Sequence, residues 1–148
     1  MEIVRPVRVT RTYNQRLFAE PNRVFPLLCP VLESQWVEGW DPRLVISESG
    51  IAERDCVFVT GDPEAIWVVT EYVPPERIEF VKVTPGVTAS RITIGLERAA
   101  EGETRAEVIY SHTALGPEGE RYVAEMTEDA WLRFITEWEE ALNRHLGA

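Results

Sequence analysis

Tyr110 and His112 are the two side chains whose types and spacing offer the most chemistry in this sequence. They lie two positions apart in a segment that alternates charged and apolar residues, so on a β-strand both share one face. An imidazole close to a phenol can move a proton or orient a ligand carbonyl. Two such side chains can also simply complete the packing between a sheet and a helix. The residues alone leave these three interpretations open.

No other pattern in the sequence adds a catalytic or metal-binding centre. There is no Ser-His-Asp order, nucleophile elbow, paired-carboxylate motif or glycine-rich phosphate loop. Cys29 and Cys56 are isolated, which favours reduced thiols over a disulfide or a metal site. His112 and His145 supply too few nitrogen ligands for a zinc centre. We therefore expect no metal and no cofactor, and the only catalytic candidates are Tyr110 and His112.

Composition and charge exclude several function classes. The 148 residues are 45% hydrophobic, which fits one domain over residues 1–148 with one core. A net charge of -10 argues against nucleic-acid binding, because phosphate contacts require basic residues. No segment approaches the roughly 20 apolar residues that span a bilayer, and the first residues lack the apolar run of a signal peptide. We expect a cytoplasmic protein without membrane insertion, and its oligomeric state stays open.

The order of elements predicts an α+β fold. A strand over residues 7–18 is followed by two short helices, the first beginning at Pro21 and the second over residues 31–37. Six strands then follow, separated by glycine and proline turns, over residues 44–48, 56–60, 65–73, 77–84, 88–98 and 104–115. This punctuation predicts an antiparallel meander.

The last thirty residues follow a helical period. The apolar stripe consists of Val123, Met126, Ala130, Phe134, Trp138, Ala141 and His145, with Trp131, Ile135 and Leu142 beside it. One long, bent helix is the preferred interpretation, although Thr127 followed by two acidic residues could cap a second helix. A sheet with one wet face needs a cover for its other face, and this helix is the only element long and apolar enough.

The sequence at this point resembles the START and birch-pollen-allergen superfamily, whose bacterial members include polyketide cyclase-like and Hsp90-activator-like proteins. The matching segments are residues 21–25 (PNRVF), 36–39 (WVEG), 71–80 (EYVPPERIEF) and the Ala130-Trp131 pair with the apolar helix after it. The resemblance covers nearly the whole chain in element order. It implies the helix-grip fold, in which a curved seven-stranded antiparallel sheet encloses a hydrophobic cavity with a long C-terminal helix. It implies no single reaction.

Strand alternation and the resemblance together propose the residues that line this cavity. The resemblance places Trp36 near the entrance, and alternation turns one face of each central strand inward. The predicted ligand-binding residues are Trp36, Val68, Thr70, Tyr72, Phe80, Ile92, Ile94, Tyr110, His112, Met126, Ala130, Trp131 and Phe134. The opposite face is apolar too at Trp67, Val69, Val81 and Val83, so an error of one residue would reverse the assignment in those two strands.

Three functions follow as hypotheses. The first is binding or carriage of a small hydrophobic molecule, lipid-like or polyketide-like, because an apolar cavity is expected and no catalytic constellation is recognised. The second is a cyclase, aromatase or dehydratase that uses Tyr110 and His112 as acid and base. The third is a co-chaperone-like interaction module. The acidic net charge and a Trp40 exposed in a predicted loop are compatible with it.

Overall fold

The computed structural model describes residues 1–147, and its main element is one sheet of seven antiparallel strands in the order β1-β7-β6-β5-β4-β3-β2. The strands are β1 (Arg8–Leu17), β2 (Leu44–Ile46), β3 (Val57–Thr60), β4 (Ala65–Val73), β5 (Arg77–Thr84), β6 (Thr88–Ala100) and β7 (Glu103–Ala114). After β1 every strand pairs with the next one along the chain, and β7 returns to pair with β1. The predicted seven-stranded meander is therefore confirmed.

The C-terminal helix α3 (Glu128–Leu146) covers the concave face of the sheet. Trp131, Ile135, Leu142 and Leu146 are buried on one side of it, at the spacing of a helix face. The indole of Trp131 donates to the carbonyl of Thr12 in β1 (3.3 Å), so polar bonds as well as packing fix the helix to the sheet. Within residues 1–147 no helix is both long and apolar enough to cross a bilayer.

The preference for one long C-terminal helix is wrong, because the segment divides into α2 (Pro117–Glu125) and α3. Thr127 has an extended backbone and its hydroxyl accepts the Ala130 N–H (3.2 Å), which is a standard N-cap. The buried line of α3 runs through Trp131 and Ile135, which were predicted beside the apolar stripe, whereas Phe134 and His145 of that stripe are exposed.

The first predicted short helix is present and the second is reduced to one turn. Helix α1 (Pro21–Val24) continues as a 3₁₀ turn over Phe25–Leu28, and a second 3₁₀ turn spans only Glu33–Gln35. The indole N–H groups of Trp36 and Trp40 bond to the carbonyls of Leu27 (2.8 Å) and Pro30 (2.7 Å). Indole donors thus satisfy carbonyls in this segment, and a regular helix over residues 31–37 does not form.

A β-bulge at Thr70 changes the alternation within β4. Val69 pairs with Phe80, but the next paired residue is Glu71 opposite Glu79, so Thr70 is an extra residue. Before the bulge the odd-numbered residues face the helix, and after it Tyr72 does. The predicted inward orientation of Val68 and Thr70 is therefore wrong, and that of Tyr72 is right.

Helix α2 lies directly on the turn between β5 and β6. A Cβ atom at Gly119 would overlap the carbonyl oxygen of Val87, so only glycine allows this close approach. The same carbonyl accepts the Leu115 N–H (2.8 Å), at the end of β7. The position of α2 is thus set by backbone contact with the sheet.

Candidate functional site

A cavity of about 270 Å³ lies between the concave face of the sheet and the two C-terminal helices. Its walls are mostly aromatic and aliphatic, with a few polar groups among them. The lining residues are Glu33, Val37, Trp40, Phe58, Trp67, Phe80, Lys82, Ile92, Ile94, Tyr110, His112, Tyr122, Met126, Trp131, Phe134 and Trp138. A small apolar pocket with a few convergent polar groups is typical of a ligand site.

Strand register arranges the sheet side of the cavity in rows. One row crosses from β4 to β7 through the successive cross-strand partners Trp67, Lys82, Ser90 and His112. A neighbouring row runs through Val69, Phe80, Ile92 and Tyr110 in the same way. The first row is mostly polar or charged and the second mostly apolar, so polarity changes across the cavity wall.

His112 is buried in the wall and has one free ring nitrogen. Its Nδ1 lies 2.6 Å from the Ser90 hydroxyl, and its Nε2 has no partner within residues 1–147 although the residue is only 4% exposed. Burial, and secondarily the charge of Lys82, lowers the pKa of His112 to about 4. The ring is therefore neutral at pH 7, and its Nε2 is a buried polar atom in a residue that lines the cavity.

Tyr110 is held by aromatic neighbours from α3. Its ring centroid lies 5.2 Å from that of Trp131 and 5.6 Å from that of Phe134. Burial raises the pKa of its phenol well above the ordinary value, with smaller contributions from Glu33 and Tyr122. The Tyr110 and His112 rings lie 5.8 Å apart. They share a wall, as predicted, but the hydrogen bond of His112 is to Ser90.

Lys82 is a charged residue in the cavity wall that sequence reasoning missed. Its Nζ lies 4.7 Å from the ring centroid of Trp67, at cation–π distance. Burial lowers the pKa of its amine. Lys82 has the same strand parity as Phe80, which was predicted to face the cavity, so extending that alternation by one step would have found it.

Glu33 is the second ionisable group that the sequence did not reveal. It lies in the 3₁₀ turn between α1 and β2 and borders the cavity. Burial raises the pKa of its carboxyl well above the ordinary range. No sequence signal distinguished it from the chain's other acidic residues.

The structure brings most of the predicted binding residues together. Eight of them line the cavity: Phe80, Ile92, Ile94, Tyr110, His112, Met126, Trp131 and Phe134. The other five, Trp36, Val68, Thr70, Tyr72 and Ala130, do not. Val68 and Thr70 face away because of the bulge, and Ala130 lies on α3 one turn before Phe134 but does not border the cavity. Their proposed role in ligand contact is withdrawn.

Trp36 and Tyr72 face the interior but lie behind the cavity wall. Trp36 is 7% exposed and its ring centroid lies 5.2 Å from that of Trp138, which is itself in the wall. Tyr72 packs edge-on against Phe25 at 5.4 Å. Both residues fix the cavity lining from behind.

Tryptophans supply much of the wall that was not predicted. Trp40, Trp67 and Trp138 line the cavity together with Phe58, and the rings of Phe58 and Trp67 are stacked at 5.1 Å. Trp40 packs edge-on against Trp67 at 5.7 Å and is partly buried. The expectation of a Trp40 available for an interaction partner is therefore wrong.

A second, more polar pocket of about 430 Å³ adjoins the cavity. Lys82, His112 and Tyr122 border both spaces. The outer pocket adds Glu118, Arg121 and Glu125 from α2. The polar row of the sheet thus lies between the mostly apolar cavity and the charged outer pocket. Within residues 1–147 no three His, Cys, Asp or Glu side chains come together as a metal site.

Comparison with solved structures identifies the architecture. The chain is similar to truncated norcoclaurine synthase from Thalictrum flavum, with a TM-score of 0.71 and 11% identity over 99% of this chain and 98% of that one. The chain has the helix-grip fold. A second helix-grip relative is the Mll3558 protein from Rhizobium loti (TM-score 0.65, 19% identity, 95% of this chain and 99% of that one). A third is an Hsp90 activator from Plasmodium falciparum (TM-score 0.59, 14% identity, 84% and 88%).

These similarities confirm the resemblance to the START and birch-pollen-allergen superfamily at the level of the fold. No protein-family model and no curated protein matches the sequence. Identities of this size between helix-grip chains carry no activity from one to another.

Proposed function

We propose that this protein binds a small aromatic molecule in the cavity between the sheet and α3, with a polar group of the ligand at His112. The observation that carries the proposal is the Nε2 of His112, a buried polar atom without a partner among residues 1–147, in a wall that is mostly aromatic and aliphatic. Such atoms cost free energy unless something bonds to them. A ligand hydroxyl or carbonyl at this position would supply that bond.

The shape of the cavity supports a ligand of one or two rings. About 270 Å³ lies at the lower end of known ligand pockets, which is too little for a long lipid chain. The flat faces of Trp67, Tyr110 and Trp131 favour stacking or edge contacts with another ring. A solved norcoclaurine synthase holds dopamine and hydroxybenzaldehyde, so a helix-grip protein of similar structure accommodates such molecules.

Acid–base chemistry on Tyr110 and His112 is the weaker candidate. A phenol whose pKa is raised by burial is a poor acid at neutral pH, and an imidazole with a pKa of about 4 is a poor base. Both groups are better suited to hydrogen bonding with a ligand than to proton transfer. The geometry therefore favours binding over a cyclase or dehydratase reaction.

Intrinsic fluorescence and calorimetry test the proposal. Four of the five tryptophans line the cavity, so titration with 2-naphthalenemethanol should change tryptophan emission and release measurable heat. Ile92→Phe should weaken binding by filling the cavity. Val68→Phe, on the convex side of the sheet, is the matched control and should leave binding unchanged.

The polar contact has its own test. His112→Phe keeps a ring of similar size but removes Nε2, and should weaken the alcohol more than it weakens 2-methylnaphthalene, which has no hydroxyl. Equal losses for both compounds would contradict the role of His112. Absence of binding by every small aromatic tried would contradict the proposed function.

A further inference from the structure

The one lysine of this protein lies in the cavity wall. All other basic side chains, apart from two histidines, are arginines, and none of these borders the aromatic cavity. Arginine cannot act as an amine nucleophile, because its guanidinium stays protonated. Lys82 is therefore the only side-chain amine of the chain, and it is found where a ligand would lie.

Lys82 forms no ion pair with any carboxylate of residues 1–147. Among residues 1–147 the ion pairs all involve arginines, and none includes Lys82. Its cross-strand neighbours are Trp67 on one side and Ser90 on the other. A lysine that only needed to keep its charge would be expected to lie near an acidic partner or in water. The Lys82 amine instead lies over the indole ring of Trp67.

The groups next to Lys82 suit a carbonyl compound. On the same row, two strands away and roughly 10 Å between Cα atoms, lies His112, whose Nε2 has no partner within residues 1–147. The aromatic walls beside it would hold a ring. An aromatic aldehyde seated there has its carbonyl group in the polar row and its ring in the apolar rows.

We propose that Lys82 forms a Schiff base with aromatic aldehydes that enter the cavity. The inference rests on the proposed function, since it uses the same space. The nitrogen lone pair forms the new C–N bond while the carbonyl π electrons move to oxygen. The two amine hydrogens leave with that oxygen as water, and C=N replaces C=O. No oxidant or reductant is required.

Two further properties of the site support this step. Burial lowers the pKa of the Lys82 amine, which increases the neutral fraction that can attack a carbonyl. A protonated imine keeps a positive charge over the Trp67 ring, so the cation–π contact at 4.7 Å is retained in the product.

Reductive trapping gives a direct test on the whole protein. Incubation with 2-naphthaldehyde and cyanoborohydride converts an imine into a stable secondary amine, whose mass gain equals that of the aldehyde less one oxygen atom. Peptide mapping then separates Lys82 from the terminal amine of Met1, which is exposed and serves as an internal reference. We expect modification at Lys82. An excess of 2-naphthalenemethanol at about ten times its Kd should reduce labelling of Lys82 by about tenfold and leave Met1 unchanged.

Lys82→Arg separates an imine from simple charge recognition. The variant keeps a cation but has no amine, so it should lose the internal adduct while Met1 is labelled as in the wild type. An unlabelled Lys82 in the native protein, or labelling that the alcohol does not prevent, would overturn the inference. Binding of the alcohol by the wild-type protein decides separately whether the proposed function stands, because the alcohol cannot form an imine.

Discussion

The Ser90 hydroxyl and His112 Nδ1 lie 2.6 Å apart, between cross-strand partners on β6 and β7. This contact satisfies one nitrogen of the imidazole and leaves the other without a partner within residues 1–147. A buried ring held in this way is stable when neutral and costly when protonated. Protonation of His112 should therefore contribute to the loss of stability of the fold at low pH.

We expect the free energy of unfolding to fall between pH 6.5 and about 4 because of His112. Its folded pKa of about 4 is below the ordinary value of 6.5, so the unfolded chain takes up the proton first as pH decreases. The stabilisation is complete above pH 6.5 and is lost towards pH 4, by up to about 3 kcal/mol. Urea unfolding across this range should show a shallower pH dependence in His112→Gln. His145→Gln, at an exposed position on α3, is the control and should keep the wild-type slope.

Glu33 should act in the opposite direction over an overlapping range. Its folded pKa is raised, so the folded protein holds the proton to higher pH and stability decreases as pH rises above the unfolded value of 4.5. Glu33→Gln should therefore be more stable than the wild type at pH 7, with a difference that shrinks towards pH 4. Glu38→Gln, an exposed change five residues away, should show no such gain. A destabilised Glu33→Gln at pH 7 would mean that the carboxylate is charged and bonded in solution.

Val69 and Val68 are a matched pair for the orientation of β4. Val69 is fully buried opposite Phe80, whereas Val68 lies on the other face. Val69→Ala should cost about 2 kcal/mol by thermal or urea unfolding, and Val68→Ala less than half of that. The reverse order would mean that the strand is shifted by one residue and that the bulge at Thr70 is absent.

The cap between the two C-terminal helices can be measured against another threonine of α3. Thr127→Ala removes the acceptor for the Ala130 N–H and should lower stability by about 1 kcal/mol. Within residues 1–147 the Thr136 hydroxyl donates only to carbonyls of its own helix, those of Leu132 (2.6 Å) and Arg133 (3.4 Å). Thr136→Ala should therefore be neutral or slightly stabilising, because alanine has the higher helix propensity. Equal losses from both changes would show that Thr127 is not a cap.

The sheet could be predicted from the sequence because its punctuation is local. Glycine and proline turns separate segments rich in β-branched residues, and the bounds of β4 and β5 agree with the prediction at both ends. The inward face of β7 was also predictable. The charged residues Arg105 and Glu107 are expected to face solvent, so the apolar residues that alternate with them face inward.

The cavity wall was harder to predict where both faces of a strand are apolar. In β4, Ile66, Val68 and Val73 are as hydrophobic as the residues that face inward, and the bulge that decides between them has no local signal. The contributions of Glu33 and Trp40 come from a segment without regular structure, where periodicity gives no orientation. The helix break at Thr127 was visible as a capping residue but was outweighed by the continuous apolar period.

The interruption at Thr127 also places the residues that pack the interior and the residues that border the outer pocket on two different helices. Trp131, Phe134 and Trp138 belong to α3, which carries much of the interior packing, whereas Tyr122 belongs to α2 and is 39% exposed at the border with the outer pocket. Because each helix has its own beginning and end, the approach to the cavity can be rebuilt on α2 without altering the residues that hold the protein together. Substitutions on α2 could thus change which molecules reach Lys82 without altering the aromatic walls of the cavity.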